Sequence, residues 1–166
     1  MEGNAMKPGA STSRGLSMIE VLVALFISVI GIMGAVTLQG TSLSGNRSAY
    51  FRTQASYIAA DMASRMRVNL TGVAANAYNN ISTVSAAVDP NCISTGCSAS
   101  QLALQDHREW THYFRNVLDV ASYRPTLPQA SGTVIGDGTS FRITISWTES
   151  ARANSSGQTY TLNLRL

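Results

Sequence analysis

The sequence predicts an α+β protein, in which one long N-terminal helix is followed by a small antiparallel sheet. Three features of the 166 residues support this prediction. They are an uncharged apolar run over residues 21–36, an apolar stripe at helical spacing beyond it, and two-residue alternation near the C-terminus. Proline is absent from residues 16–69, so nothing there removes a helical hydrogen bond.

The first part of the predicted helix has the composition of a membrane segment. Residues 21–46 carry no charge, although the most apolar part, residues 21–36, is slightly shorter than the roughly 20 residues that a bilayer span needs. Glu20 stands at the start of this run and has apolar residues on its other side. A charge at the centre of a membrane helix costs about 2.5–3.5 kcal/mol, and less near the interface. A plain anchor or an ordinary export signal does not account for this glutamate.

Beyond residue 46 the pattern becomes amphipathic. Apolar residues recur at spacings of four, three, four and four, at Phe51, Ala55, Ile58, Met62 and Met66. We expect this stripe to pack against its own domain. A helix over residues 17–69 would be roughly 80 Å long at 1.5 Å per residue. No head domain of this size needs such a length, so we expect the first half of the helix to lie outside the head.

The middle of the chain predicts less regular structure. Residues 71–100 are rich in Ala, Asn, Ser, Gly and Thr, which favours a loop with a short strand. A second helix is predicted over residues 101–121, before Pro125 and Pro128. Its residues at helical spacing are Asp106, Trp110, Phe114, Val117 and Leu118.

The C-terminal part predicts antiparallel strands. In FRITISW the apolar residues point one way (Phe141, Ile143, Ile145 and Trp147), and in TYTLNLRL the same alternation recurs (Tyr160, Leu162, Leu164 and Leu166). A further strand is predicted at residues 132–135, before a turn at residues 136–138.

Composition favours a partly membrane-embedded chain. Charged residues make up only 13% of the chain, and the net charge of +3 is too small to indicate a nucleic-acid surface. The sequence has no G-x-S-x-G, HExxH or phosphate-binding glycine loop. We therefore predict no enzyme and no cofactor. Arg65 and Arg67 flank Met66, and we favour a solvated helix face or a contact with a neighbouring subunit over a basic binding patch.

The two cysteines allow two interpretations. If the apolar run directs export, Cys92 and Cys97 reach an oxidising compartment, where such a pair forms a disulfide. With His107 and His112 they also imitate a zinc finger, but the gap of nine residues is shorter than the usual twelve or so. We predict the disulfide and no metal.

The start of the apolar run resembles the class III signal of type IV pilins and pseudopilins. The stretch is Gly-Leu-Ser-Met-Ile-Glu over residues 15–20, followed by VLVAL, and Lys7 and Arg14 precede it. The resemblance implies cleavage between Gly15 and Leu16 by a prepilin peptidase, followed by N-methylation of Leu16. It also implies that Glu20 serves assembly, by pairing with an exposed α-amine. Leu16 departs from the phenylalanine that is usual at this position.

A second motif narrows the resemblance. The stretch DMASRMRVN over residues 61–69 is similar to the PilV-type minor pilins, the type IV pilus modification proteins, and so are Trp110 in REW and the ISW triplet over residues 145–147. The resemblance implies a pilin-like ladle, made of a leader over residues 1–15, a transmembrane and filament-core helix over residues 16–46 and a periplasmic head over residues 47–166.

The function implied by the resemblance is structural. It is that of a minor pilin of a bacterial type IV pilus, inserted in the inner membrane, built into the extracellular fibre, and acting in assembly, adhesion and twitching motility. The implied partners are major and minor pilins, the prepilin peptidase and the inner-membrane assembly platform.

Three alternatives stay open at the level of sequence. A minor pseudopilin of type II secretion has a nearly identical signal. An exported module that binds DNA or a surface ligand would need clustered arginines, whereas those of this chain are spread along it. A secreted zinc protein would lose residues 21–36 on processing.

Overall fold

The computed structural model describes residues 17–85, 88–150 and 155–166. In chain order these residues form α1 (Met18–Val68), α2 (Leu70–Ala74), β1 (Asn80–Ser82), α3 (Cys92–Thr95), α4 (Ala99–Thr111), β2 (Ser131–Gly136), β3 (Ser140–Ser150) and β4 (Ser155–Arg165). One long N-terminal helix and a four-stranded antiparallel sheet confirm the predicted α+β, pilin-like architecture.

The chain divides into two compact units whose boundary lies within α1, between Leu43 and Ser44. In the first unit, the described residues are exposed except for Gly40, which is half-buried. In the second unit, α1 buries one face. The predicted stripe is confirmed, and Ala59 and Ala63 beside it on α1 are buried as well.

The sheet is a meander in which β1, β2, β3 and β4 pair in sequence order, each antiparallel to the next. The predicted alternation is confirmed, since Phe141, Ile143, Ile145 and Trp147 of β3 are all buried. On β4 the corresponding apolar residues are half-buried at the margin of the core. Side chains between them face away from the core, as the two-residue period of a strand requires.

Trp110 connects α4 with both α1 and the sheet. Its side chain is fully buried, its indole Nε1 donates to the Ile58 carbonyl oxygen at 3.0 Å, and its ring packs edge-on against Phe114 at a centroid distance of 5.4 Å. A Cβ at Gly132 would lie 2.5 Å from the Trp110 Cη2 atom. The close approach of β2 to this indole therefore requires glycine.

The second helix differs from the prediction at both ends. It begins at Ala99, because Ser98 and Gln101 form a reciprocal capping box. It ends at Thr111 rather than at residue 121, so the predicted positions of Phe114, Val117 and Leu118 on it are wrong. Phe114 is nevertheless buried. Residues 116–120 do not continue the helix, because Asn116 bonds both the N–H and the carbonyl of Val120, which offers the backbone a local alternative to helix.

The predicted loop over residues 71–100 contains more structure than expected. The short strand is present as β1, but α2 and α3 were not predicted. A side chain supports the first of these helices, because Asn69 caps α2 by accepting from the Gly72 N–H at 3.1 Å.

Candidate functional site

Glu20 lies in the first turn of α1, where a carboxylate interacts favourably with the partial positive charge of the helix N-terminus. Its neighbours Met18 and Ile19 are 87% and 66% exposed, so the carboxylate stands on an apolar, solvent-facing surface of the chain. No cation lies within ion-pair distance of Glu20 in the parts of the chain that the structure describes. Gly15 and Leu16 lie outside the described residues, so cleavage and methylation there stay predictions.

Among the described residues, α1 is the one helix that is long and apolar enough to cross a membrane, judged by length and composition. Some hydroxyl groups in its apolar part bond to carbonyl oxygens of the same helix. Ser28 and Thr37 donate to the carbonyl oxygens of Ala24 and Met33 at 2.8 and 3.1 Å. Such back-bonding lowers the cost of placing hydroxyl groups in an apolar environment.

A second candidate feature is a charged network around Arg65, which joins α1 to α4. The Arg65 guanidinium lies 2.9 Å from the Asp61 carboxylate, 3.3 Å from that of Asp106 and 2.6 Å from that of Glu109. Arg65 comes from the last turn of α1 and two of its partners come from α4. Three carboxylates therefore meet one cation at the junction of the two helices.

The network continues into the interior through Tyr78. The Tyr78 hydroxyl donates to Asp106 at 2.5 Å and accepts from the Asn69 side-chain amide at 3.0 Å. The same amide donates to the Ala99 carbonyl oxygen at 2.7 Å. Tyr78, Asn69 and Asp106 are all buried. Their polar groups are thus paired, as buried polar groups must be to avoid a desolvation penalty.

The pKa values follow from this pairing. Burial and the hydrogen bond to Asp106 raise the pKa of Tyr78 well above its ordinary value, so that the phenol stays protonated. Burial acts to raise the pKa of Glu109, but hydrogen bonds from Gln105 and Arg65 outweigh it and lower the pKa. The side chains of Asp61 and Glu109 are 32% and 40% exposed, whereas that of Asp106 is 9% exposed. Of the three carboxylates, Asp106 therefore depends most on its hydrogen-bond partners to offset the cost of burial.

The network explains the motif DMASRMRVN over residues 61–69. The methionines Met62 and Met66 are buried. Arg65 pairs with Asp61 one helical turn away and joins α1 to α4, and Asn69 bonds the Ala99 carbonyl oxygen. The expectation that Arg65 lies on a solvated face is wrong, because three carboxylates surround it. Arg67 is exposed, as expected.

Cys92 and Cys97 are joined by a disulfide, with Cα atoms 5.0 Å apart. This separation lies within the usual range for disulfides. The histidines of the zinc-like pattern have other contacts: His107 Nε2 lies 3.0 Å from the Ser82 carbonyl oxygen, and the His112 ring packs against Tyr123. Within the described ranges, no three His, Cys, Asp or Glu residues form a group that could hold a metal ion.

Sequence reasoning missed Tyr78 and Glu109 as members of the network. A signal for the network was present, because Asp106 shares its helical face with Trp110 and other apolar residues. A carboxylate in an apolar stripe must find a partner in the interior. The sequence does not say which residue that partner is.

The fold and these features define a pilin-like protein, with a long apolar N-terminal helix and an antiparallel sheet domain. A comparison with family models agrees with this class. Residues 37–108 match the model described as Tt1218-like, Type IV pilin Tt1218. Over these residues the chain is similar to the type IV pilins. No curated protein and no solved structure matches the chain.

Proposed function

We propose that this chain is a minor pilin of the PilV type in a bacterial type IV pilus, with a structural and not an enzymatic role. It would prime or modify pilus assembly together with other pilins, and so act in adhesion and twitching motility. The observation that carries the proposal is Glu20, a carboxylate with no cation partner among the described residues, in the first turn of an exposed apolar helix of a chain similar to the type IV pilins.

The physical role of Glu20 follows from the proposed processing. Cleavage after Gly15 would create an α-amine on Leu16, four residues before Glu20 in the sequence. In a filament, the Glu20 carboxylate would neutralise the amine of a neighbouring subunit or its own. Two isolated charges would then be removed from an apolar core. Truncating one member of a buried pair costs about 3–5 kcal/mol, because the other charge is left uncompensated.

The proposal also assigns a route through the cell. Residues 16–46 would insert the chain in the inner membrane with the head in the periplasm, and the prepilin peptidase and the assembly platform would act on it there. The mature chain is then expected to begin at Leu16 and to carry an N-methyl group. Mass spectrometry of the purified mature protein tests this directly. An N-terminus beyond residue 36 would contradict it.

Glu20→Gln tests the charge pair. Glutamine keeps the size and hydrogen-bonding capacity of the side chain and removes the charge, so membrane insertion is expected to become easier if anything. Incorporation into filaments is expected to fall, because the amine of Leu16 would enter the apolar core without a counter-charge. The readout is the ratio of processed subunit in sheared pili to that in the membrane fraction.

Glu20→Asp is the matched control, because it keeps the charge and shortens its reach by one methylene group. Its ratio is expected to fall between those of the parent and Glu20→Gln. If Glu20→Gln entered pili as well as the parent does, the charge-pair account would be wrong. If neither the parent nor the variants entered sheared pili, the pseudopilin alternative would replace the pilus proposal.

A further inference from the structure

The two margins of the sheet differ in how they are covered. The edge formed by β1 is only three residues long. Side chains cover it and the turn that follows, since His107 Nε2 lies 3.0 Å from the Ser82 carbonyl oxygen and Arg115 Nη2 donates to the Ser85 carbonyl oxygen at 2.7 Å. These contacts leave little of the β1 edge free to accept another strand.

The opposite edge, β4, is eleven residues long and pairs only with β3 among the described residues. The Leu166 N–H donates to the Thr139 carbonyl oxygen at 3.0 Å, one step beyond the pair of Ser140 and Arg165. In an antiparallel ladder such bonded positions recur every second residue. The even-numbered residues of β4 therefore direct their backbone groups towards β3.

The odd-numbered residues of β4 direct their backbone N–H and C=O groups outwards: Gly157, Thr159, Thr161, Asn163 and Arg165. All five are exposed. None of their backbone groups forms a hydrogen bond with any other part of the described chain. An unpaired row of this length is a template for another strand, and proteins that do not use such an edge usually shorten, twist or cover it.

The side chains beside this edge alternate in a way that suits an added strand. Tyr160, Leu162 and Leu164 are half-buried, with one side packed on the core and the other open at the margin of the sheet. Thr159, Thr161 and other polar residues occupy the opposite face. A strand with apolar residues at alternate positions would cover the open sides of the apolar row and leave its polar residues in solvent.

Charge is mixed at the end of β4 near Gln158, where Glu149 pairs with Ser156, and is positive on balance at the other end, where two arginines adjoin the one carboxylate of Asp137. Arg52 of α1 donates to the Gln158 side chain at 3.3 Å near one end of β4, and Arg142 and Arg165 lie near the other. None of these arginines forms an ion pair with a described residue. A groove of about 600 Å³ adjoins the second end and is lined in part by Arg142, Asn163 and Arg165. A bound segment would gain from carboxylates near the end that meets Arg142 and Arg165.

We propose that the free edge of β4 binds an extended segment of another protein, which adds to the sheet as a fifth strand. The segment alternates apolar and polar residues and carries acidic residues near the end that meets Arg142 and Arg165. Backbone hydrogen bonds to the odd-numbered positions of β4 supply the affinity, and the apolar row beside Tyr160, Leu162 and Leu164 sets the register.

A second copy of this chain fits the edge less well. Antiparallel pairing of β4 with β4 would place a two-fold axis perpendicular to the sheet. The part of α1 over residues 44–68, which packs on the sheet, would then run in opposite directions in the two copies. Two subunits anchored in one membrane by the residues before it cannot both satisfy this arrangement. The choice of partner therefore rests on the membrane anchoring proposed above.

Site-specific photocrosslinking in cells that assemble pili tests the inference. A benzoylphenylalanine is placed at Thr159, Thr161 or Asn163 of the full chain, and the crosslinked peptides are identified by mass spectrometry. Thr144 is the matched control, because it lies on the same outer face of the sheet but in the central strand β3. We expect crosslinks from β4 to a single segment of one partner, advancing by two residues for each step along β4, and few from Thr144.

A backbone variant separates strand addition from other contacts. Thr161→Pro removes an outward N–H that β3 does not use, and proline is tolerated at edge positions of this kind. We expect it to lower crosslinking from Thr159 and Asn163 at least tenfold. Thr161→Val keeps the N–H and is expected to leave the yield unchanged. Thermal unfolding of the full chain in detergent checks that the proline variant is folded. The two-residue step of the crosslinks is measured without the proline substitution, so it tests strand addition even if that variant does not fold.

Several outcomes would overturn the inference. They are crosslinks to a second copy of this chain, crosslinks without the two-residue step, equal yields from Thr144, or no crosslinks from β4. When the processed chain is present in the membrane fraction, such a result removes only the edge-binding inference and leaves the anchored-subunit proposal standing. A chain that never reaches the membrane would contradict both.

Discussion

Replacement of Arg65 by methionine tests whether the charged network holds α1 and α4 together. Methionine keeps most of the length of the arginine stem and removes the charge and its hydrogen bonds. Asp106 would then retain only the bond from Tyr78, although its side chain is just 9% exposed. Asp61 and Glu109 would lose their cation but could turn towards solvent, because they are 32% and 40% exposed.

The expected cost follows from these exposures. The pair of Arg65 with Asp61, one helical turn apart, contributes about 0.3–0.5 kcal/mol, and the exposed pair with Glu109 up to about 1 kcal/mol. Loss of a charge-assisted partner at the nearly buried Asp106 costs about 1–2 kcal/mol more. We therefore expect Arg65→Met to lower the free energy of unfolding by about 2–3 kcal/mol. For a domain of this size that is about 8–12 °C in Tm.

The assay is thermal unfolding of the full chain in detergent, followed by near-ultraviolet circular dichroism, which reports the packing of Trp110. Arg67→Met is the matched control, because Arg67 lies two residues away on the same helix and is exposed without a described partner. It is expected to change stability by less than about 0.5 kcal/mol. If Arg65→Met melted within about 2 °C of Arg67→Met, the network would not hold the helices together.

Three further predictions concern other parts of the head. Gly132→Ala is expected to cost about 1–3 kcal/mol in thermal unfolding, because its Cβ would lie 2.5 Å from a buried indole carbon. Gly157→Ala has open space around its Cβ and serves as the control; an equal loss in both would contradict the close-packing argument. Replacing Cys92 and Cys97 by serine is expected to cost at most about 2 kcal/mol, since the loop they close is short; thiol labelling of the untreated parent that finds both cysteines free would reject the bond. Glu109→Gln is expected to be less stable than the parent at neutral pH. The lowered pKa of Glu109 stabilises the fold above its ordinary value of 4.5, and this contribution is lost as the pH falls through the folded-state pKa. The stability gap should therefore close in acid, and a gap that stays constant below pH 4 would refute the assignment.

The sequence predicted the elements whose signals are local. The apolar stripe of α1 and the alternation in β3 are periodic within a few residues, and the buried positions were predicted residue by residue. The architecture then followed, because a long helix with an apolar face and strands with one apolar face must bury those faces against each other. The end of α4 was predicted poorly, since Asn116 and Val120 compete with the helix through bonds that periodicity does not show.

The candidate sites also differ in whether their signal is local in the sequence. Glu20 could be singled out from sequence, because a carboxylate beside an uncharged apolar run conflicts with its surroundings in a manner visible in the sequence alone. The role of Arg65 could not be predicted. Its partner Asp106 is 41 residues away, and only the packing of α4 on α1 brings the two together.

The sequence by itself thus determined the kind of segment at each place in the chain: an apolar helix that begins with a charge, an amphipathic continuation and alternating strands. Tertiary structure alone decided which polar groups meet and which stay free. Arg65 became part of the interior junction, and the edge of β1 was covered while that of β4 was left open. The physical reason is the distance along the sequence over which each kind of signal acts. Periodicity depends on neighbours within a helical turn or two strand residues, whereas pairing depends on which remote elements pack together.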